Sequence, residues 1–170
     1  MRVRSFAPIA GRGARVLILG SMPGVASLKA QQYYAHPQNA FWRIMGTLLG
    51  FDPSASYGRR KRALMAARIA VWDVLRSCDR QGSLDTMIAN EAANQFDAFF
   101  RAHRGVTHVF FNGAKAEASF RRHVLPQVRV PLGYTRLPST SPANAALPQR
   151  RKLAAWRVIL APLRRYRSSE

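Results

Sequence analysis

Two polar segments of this 170-residue chain hold the residue types that could act on a ligand. The first, Tyr33-Tyr34-Ala35-His36-Pro37-Gln38-Asn39-Ala40-Phe41-Trp42, gathers two phenol rings, an imidazole and a carboxamide. Phenol faces on a polar loop could stack a planar heterocycle, an interaction of roughly 1–3 kcal/mol per base, or could simply plug the core. His36, just before Pro37, could donate to a phosphate or act as an acid, or be structural. Asn39 could cap the helix that follows or turn its amide into a pocket, and spacing alone leaves both open. Upstream, Gly20-Ser21-Met22-Pro23-Gly24 lacks both the Lys-Ser/Thr of a phosphate loop and the three-glycine spacing of a dinucleotide fingerprint. Its glycines could still bring backbone N–H groups close to a phosphate or base oxygen, or only make a turn. The second segment, Pro138 to Pro148, carries Ser139, Thr140, Ser141 and Asn144.

These segments need elements to hold them. Arg15 to Gly20 reads as a buried parallel strand, and Gly20 to Trp42 as a loop of about twenty residues, long enough for a site to be its reason. Phe41, Ile44, Met45, Leu48 and Leu49 fall on one helical stripe that Gly50 closes. Gly58 to Arg68 is a basic helical segment, Ile69 to Leu75 a second strand with Asp73 near its end, and Ser77 to Asn90 mostly loop. Asn94 to His103 has helical spacing, Val106 to Phe111 is a third strand stopping at Asn112, and Ala114 to His123 is the next helix. Tyr134 to Leu137 makes a short fourth strand, and a last helix stripe runs from Leu147 through Trp156 to Leu163. Strands separated by helices imply an α/β fold, a three-layer α/β/α domain around a central, mainly parallel four-stranded sheet. Ligands of such sheets gather at the carboxyl ends of the strands, where both loops, Asp73 and Asn112 would converge. The chain reads as one domain, 1–170, with basic termini (about 1–13 and 165–170) that could be mobile.

Composition narrows the partners. The chain has 27 Lys plus Arg against 8 Asp plus Glu, a formal charge of +19. Such a field attracts polyanions and favours nucleic acid, although a solubility surface or compositional bias would look the same. Lys29, Lys61, Lys115 and Lys152 are the only lysines, and an arginine excess suits bidentate phosphate contacts. Lone Cys78 excludes an internal disulfide framework and a cysteine-clustered zinc site. No apolar run approaches the ~18 residues of a membrane span, and the start lacks a secretory h-region. A cytoplasmic location, nucleoid-associated in a prokaryote, is expected, with no membrane partner, no metal, no cofactor and no obligate protein partner.

Tyr34 to Trp42, with Gly20 to Gly24 upstream, resembles the first motif of the uracil-DNA glycosylase superfamily, in particular its mismatch-specific and hypoxanthine-DNA glycosylase branches. The hypoxanthine branch is the closer likeness, because Ser139-Thr140-Ser141-Pro142-Ala143-Asn144-Ala145 resembles its second motif. Trp72-Asp73-Val74-Leu75, Gly82-Ser83-Leu84-Asp85 and Phe111-Asn112-Gly113-Ala114-Lys115-Ala116 resemble intervening blocks, so the similarity spans about Arg15 to Trp156.

The resemblance implies a monofunctional enzyme of base-excision repair. It would flip a deaminated base, hypoxanthine or uracil, out of double-stranded or single-stranded DNA and hydrolyse its N-glycosidic bond. It implies that Tyr34 stacks on the base, and that Gly20, Ser21 and Met22 form the pocket floor together with Asn112. Met22 stands where mismatch-specific relatives hold a catalytic Asn, so the water-placing role passes to Asn39. Ser139, Ser141 and His36 would grip phosphates, with Asn144 or Leu147 as the wedge, and Asp73 would read the base edge or, as a buried acid, cap a loop or pair with Arg76 or Arg80. The reaction passes through an oxocarbenium-like sugar, for which a strong general base is optional. That fits the absence of acidic residues from both motif loops. The alternative from another class is a basic α/β nucleic-acid-binding protein without catalysis.

Overall fold

The computed structural model describes residues 1–167, with side chains to residue 164. In chain order the strands are β1 (Arg2–Arg4), β2 (Val16–Gly20), β3 (Ile69–Asp73), β4 (Leu75–Asp79), β5 (Ala89–Ala93), β6 (His108–Asn112) and β7 (Gly133–Leu137). The helices are α1 (Val25–Ala30), α2 (Phe41–Leu49), α3 (Tyr57–Ala66), α4 (Phe96–Ala102), α5 (Ala114–His123), α6 (Gln149–Trp156) and α7 (Leu160–Arg167).

The central sheet is parallel throughout, in the order β3-β2-β6-β7. Val16 to Leu19 and Ile69 to Val71 are wholly buried, as strands covered on both faces must be. Register places Gly20 opposite Asp73 and Asn112 opposite Leu137, so all four strands end along one edge. Helices flank the sheet in three layers, as expected. In one layer, Phe96 and Phe99 of α4 lie 4.9 and 5.2 Å from Trp72. In the same layer, Phe120 of α5 lies 5.2 Å from Phe111. Elsewhere α2 and α6 meet through Phe41 and Trp156, 6.0 Å apart.

Four expectations need correction. Residues 1–13, read as a tail that could be mobile, instead carry β1, whose Arg2, Val3 and Arg4 pair with Asp79, Cys78 and Ser77. Ile9 adds a two-way backbone bridge to Val71. Ser77 to Asn90, read as mostly loop, holds no strand over 80–88, but its two ends belong to β4 and β5 of an unexpected second sheet, antiparallel in the order β1-β4-β5. Its strands hide because Ala-Asn-Glu-Ala-Ala is poor in the branched and aromatic residues that mark strands, and register shifts interrupt the β4–β5 pairing. The long loop after β2 contains α1, ended by Gln31 in the left-handed region at φ 55°. The last helix is broken by a 3₁₀ turn over Arg157–Ile159, just ahead of Pro162, whose ring nitrogen cannot donate to the preceding turn. Of the C-terminal stretch 165–170, residues up to Arg167 are helical and 168–170 lie outside the described residues.

Phe120 is fully buried between Phe96, Phe111 and Tyr134. Phe120→Ala is expected to cost about 3–5 kcal/mol through lost burial and a cavity, read as a lower urea midpoint at unchanged slope.

Candidate functional site

A cleft of about 1060 Å³ opens at the carboxyl edge of the central sheet. Gly20 to Gly24 from the end of β2, Asp73 from β3, Asn112 and Gly113 from β6, and Pro138 to Asn144 after β7 all line it. Tyr34, His36 and Asn39 reach it from the loop before α2. The sequence-derived residues therefore converge, with one exception: half-buried Leu147 is not in the lining.

The floor holds two buried oxygens without partners. Asp73 is 3% exposed, and neither its Oδ2 nor the Tyr34 hydroxyl makes a hydrogen bond. Both side chains converge on Gly20, where an added Cβ would stand 2.6 Å from Asp73 Oδ1 and 2.9 Å from the Tyr34 oxygen. Only glycine leaves that space open. Burial pushes the Asp73 carboxyl up to about 7, with Asp85 adding to the rise and Arg80 opposing it. Burial likewise raises the Tyr34 phenol far above its ordinary value, so it stays protonated. The Tyr34 backbone sits at φ 55°, uncommon for a bulky side chain, and its ring lies 4.1 Å from Phe41 at 30°. Phe41 thus occupies one side of that ring. Tyr33 is a core residue, 3% exposed, donating to the Ala7 carbonyl at 2.8 Å.

Asn39 caps α2 after all, although the formal cap position is Ala40: its Oδ1 accepts from the Phe41 N–H at 3.0 Å. That bond fixes which end of the amide is oxygen and leaves Oδ1 a second lone pair. His36 Nδ1 accepts from the Gln38 N–H at 3.1 Å, which sets the tautomer and leaves Nε2–H at the mouth of the cleft. The loop after β7 is braced from within. Ser139 Oγ accepts from Ser141 N, Ser141 Oγ from Ala143 N, and the Asn144 amide donates to the Ser139 carbonyl at 3.1 Å.

Asn112, expected to touch the base, lines the cleft and also reaches across to Thr140: Nδ2 donates to Thr140 Oγ1 and Oδ1 accepts from Thr140 N, each at 2.9 Å. The Thr140 carbonyl then accepts from Ala40 N at 3.0 Å. Asn112 is therefore a latch that ties the two motif loops together. Gly113, at φ 95°, lets Ser139 approach to within 3.1 Å of where a Cβ would be.

Thr140 was legible as one more hydroxyl in a polar loop, but nothing in its spacing marked it as the hub. Asp85 was missed as a site residue. It lies outside both motif loops, and the turn that carries it folds over the cleft, where Ser21 Oγ donates to its Oδ1 at 2.6 Å. Ser83 on that turn accepts from Val25 N at 2.8 Å and so holds the start of α1. The one available signal was that Gly82 to Asp85 formed a block of the resemblance.

The family model described as the uracil DNA glycosylase superfamily matches residues 8–163. A hypoxanthine DNA glycosylase of Methanosarcina barkeri is 39% identical over 117 residues, 68% of this chain and 74% of that protein. Another, from Methanosarcina acetivorans, is 33% identical over 159 residues, 92% and 96% of the two chains. The solution structure of a candidate uracil DNA glycosylase from Methanosarcina acetivorans superposes with a TM-score of 0.80 at 30% identity, covering 96% of this chain and 99% of that one.

Thr140→Val would leave the buried Asn112 Nδ2 without its acceptor, and a loss of about 1–3 kcal/mol in denaturant stability is expected. Asp73 gives a pH signature. A carboxyl held near 7 in the fold, against about 3.9 unfolded, contributes stability that is complete below the unfolded value and lost as the pH rises through 7. The urea midpoint of the wild type relative to that of Asp73→Asn should accordingly fall between pH 5 and pH 8.

Proposed function

The chain belongs to the uracil DNA glycosylase superfamily, and on that premise we propose that it is a DNA N-glycosylase of base-excision repair whose floor oxygens select a deaminated base, hypoxanthine foremost. The observation that carries the choice of base is the buried Asp73 carboxyl beside the Tyr34 hydroxyl: Asp73 Oδ1 and the Tyr34 oxygen both face Gly20, and neither Asp73 Oδ2 nor the Tyr34 hydroxyl makes a hydrogen bond. Unmade hydrogen bonds on buried groups are costly, and a ligand that completes them gains accordingly. Deamination turns adenine into a base with an N–H beside a carbonyl. The Asp73 carboxylate can accept that N–H while the Tyr34 hydroxyl donates to the neighbouring oxygen. Adenine offers neither group in that order, and uracil offers the same pair on a smaller ring.

In the reaction, the bond from C1′ to the base nitrogen breaks with its electron pair leaving on the base. A water oxygen bonds to C1′, and the water's extra proton passes to the surroundings. Asn39 Oδ1, held by the Phe41 N–H, keeps one lone pair to orient that water. The Tyr34 ring, backed by Phe41, supplies a wall for the extruded base. His36 Nε2–H and the braced Ser139 to Asn144 loop supply donors at the mouth for the strand backbone. The net charge of +19 favours DNA binding, with the steep salt dependence that phosphate contacts bring.

The decisive experiment incubates the protein with duplexes carrying inosine, uracil or xanthine and cleaves abasic products with alkali. Excision of inosine ahead of the others, with unmodified adenine untouched, is expected. Binding without strand scission on every duplex would instead favour the non-catalytic reading. Asn39→Ala should lower the single-turnover excision rate a hundredfold or more, as loss of one such positioned polar group does. A rate within about tenfold of wild type would remove Asn39 from the mechanism.

A further inference from the structure

The large apolar side chains most exposed to water, among the described residues, are Met1, Val25, Leu84, Met87, Val130 and Val158. Three of them belong to one place. Leu84, 55% exposed, is also part of the cleft lining. Met87 follows it through the single 3₁₀ turn Asp85–Met87, whose Met87 N–H donates to the Leu84 carbonyl at 3.1 Å. Val25 is joined to the same turn, because its N–H donates to Ser83 Oγ. Single exposed aliphatic residues are ordinary, whereas a cluster of them at the mouth of a cleft marks a contact surface.

The turn that carries Leu84 is held on both sides of it. Ser83 ties it to the start of α1, and Asp85 accepts from Ser21 on the floor. Leu84 is thus presented to solvent on a fixed support. The other loop of the cleft presents no such group. Ser139, Ser141 and Asn144 line it there, the Asn144 amide donates to the Ser139 carbonyl, and half-buried Leu147 stands outside the lining.

We infer that Leu84, with Met87 and Val25 beside it, enters the base stack of duplex DNA at the gap that an extruded nucleotide leaves. A closed duplex offers this chain phosphates, sugars and base edges, all polar or charged. Flat apolar faces appear only where the stack is broken, and an aliphatic side chain is the kind that fills such a break. The charge of +19 draws the backbone in, but it has no use for an uncharged patch. The patch therefore matches opened DNA and not closed DNA. The Leu84 side chain would stand between the two bases that flanked the extruded one and keep the stack from closing behind it. The inference rests on extrusion of a base into the cleft, as in the proposed function, and not on which base is cut or how.

The test is binding, read by fluorescence anisotropy, to three DNAs of one sequence: an intact duplex, a duplex with a tetrahydrofuran abasic analogue at one position, and the analogue strand alone. Wild type is compared with Leu84→Ala and with Val130→Ala, a control 44% exposed that lies three residues before β7 and so at the other edge of the sheet. Leu84→Ala should weaken binding of the abasic duplex roughly tenfold, the loss expected when one leucine's apolar area stays in water. Its affinity for the intact duplex and for the single strand should match wild type, as should that of Val130→Ala for all three. A 2-aminopurine beside the analogue, dimmed by stacking, should be brighter in the wild-type complex than in that of Leu84→Ala. Equal affinity of wild type and Leu84→Ala for the abasic duplex overturns the inference. So does an equal loss on all three DNAs, which would mark a general contact or a disturbed fold. None of these DNAs carries a deaminated base, so a failure to excise inosine would sink the proposed chemistry and leave this readout standing.

Discussion

The site depends on one residue, Thr140, being held from three directions. Its hydroxyl and N–H take both ends of the Asn112 amide, and its carbonyl takes the Ala40 N–H. Thr140 is 1% exposed, so none of these bonds competes with bulk water and none can be dropped cheaply. Asn112 ends a central strand, Ala40 begins α2, and Thr140 sits in the loop after β7. One threonine therefore sets the distance between a sheet edge, a helix start and the loop after β7. Loops usually buy their mobility at the expense of precision; here three hydrogen bonds tie this one to the rigid layer beneath it.

That rigidity makes the unsatisfied floor tolerable. Asp73 Oδ2 and the Tyr34 hydroxyl lack partners because the surrounding structure will not relax to supply them. Gly20 beneath them, the left-handed Tyr34 backbone and the Phe41 ring behind it hold both oxygens where they are. Burial brings the Asp73 carboxyl to about 7, so near neutrality it populates both an accepting and a donating form. A polar site kept incomplete costs folding energy and recovers it on binding, a common arrangement where function and stability disagree.

Legibility followed burial and periodicity. Three of the four parallel strands, β2, β3 and β6, are built on apolar runs, and α2 and α5 announce themselves by spacing, so the sheet and the convergence of its loops could be read directly. The second sheet could not, because β5 is built of alanines with Asn and Glu, and β1 is a charged tripeptide whose partner lies 77 residues away. Type and place sufficed to bring Tyr34, Asp73 and Asn39 to the cleft. The links around them could not be read: Asn112 joins its amide to Thr140, and Asp85 enters through a turn that only the fold brings over the cleft. Pairing between distant segments leaves no local trace, and the site's connections are of that kind.

The N-terminal strand carries a consequence for how the chain assembles. β1 precedes β4 by about seventy residues and cannot pair until β4 has followed it, and β4 in turn pairs with β5. The antiparallel sheet thus closes late, across long chain separations that slow folding. Until then β4 would present an unpaired edge to its neighbours in the cell. The first residues act as a cover strip for that edge, and their charged side chains on Arg2 and Arg4 discourage strand addition while the strip waits for its place.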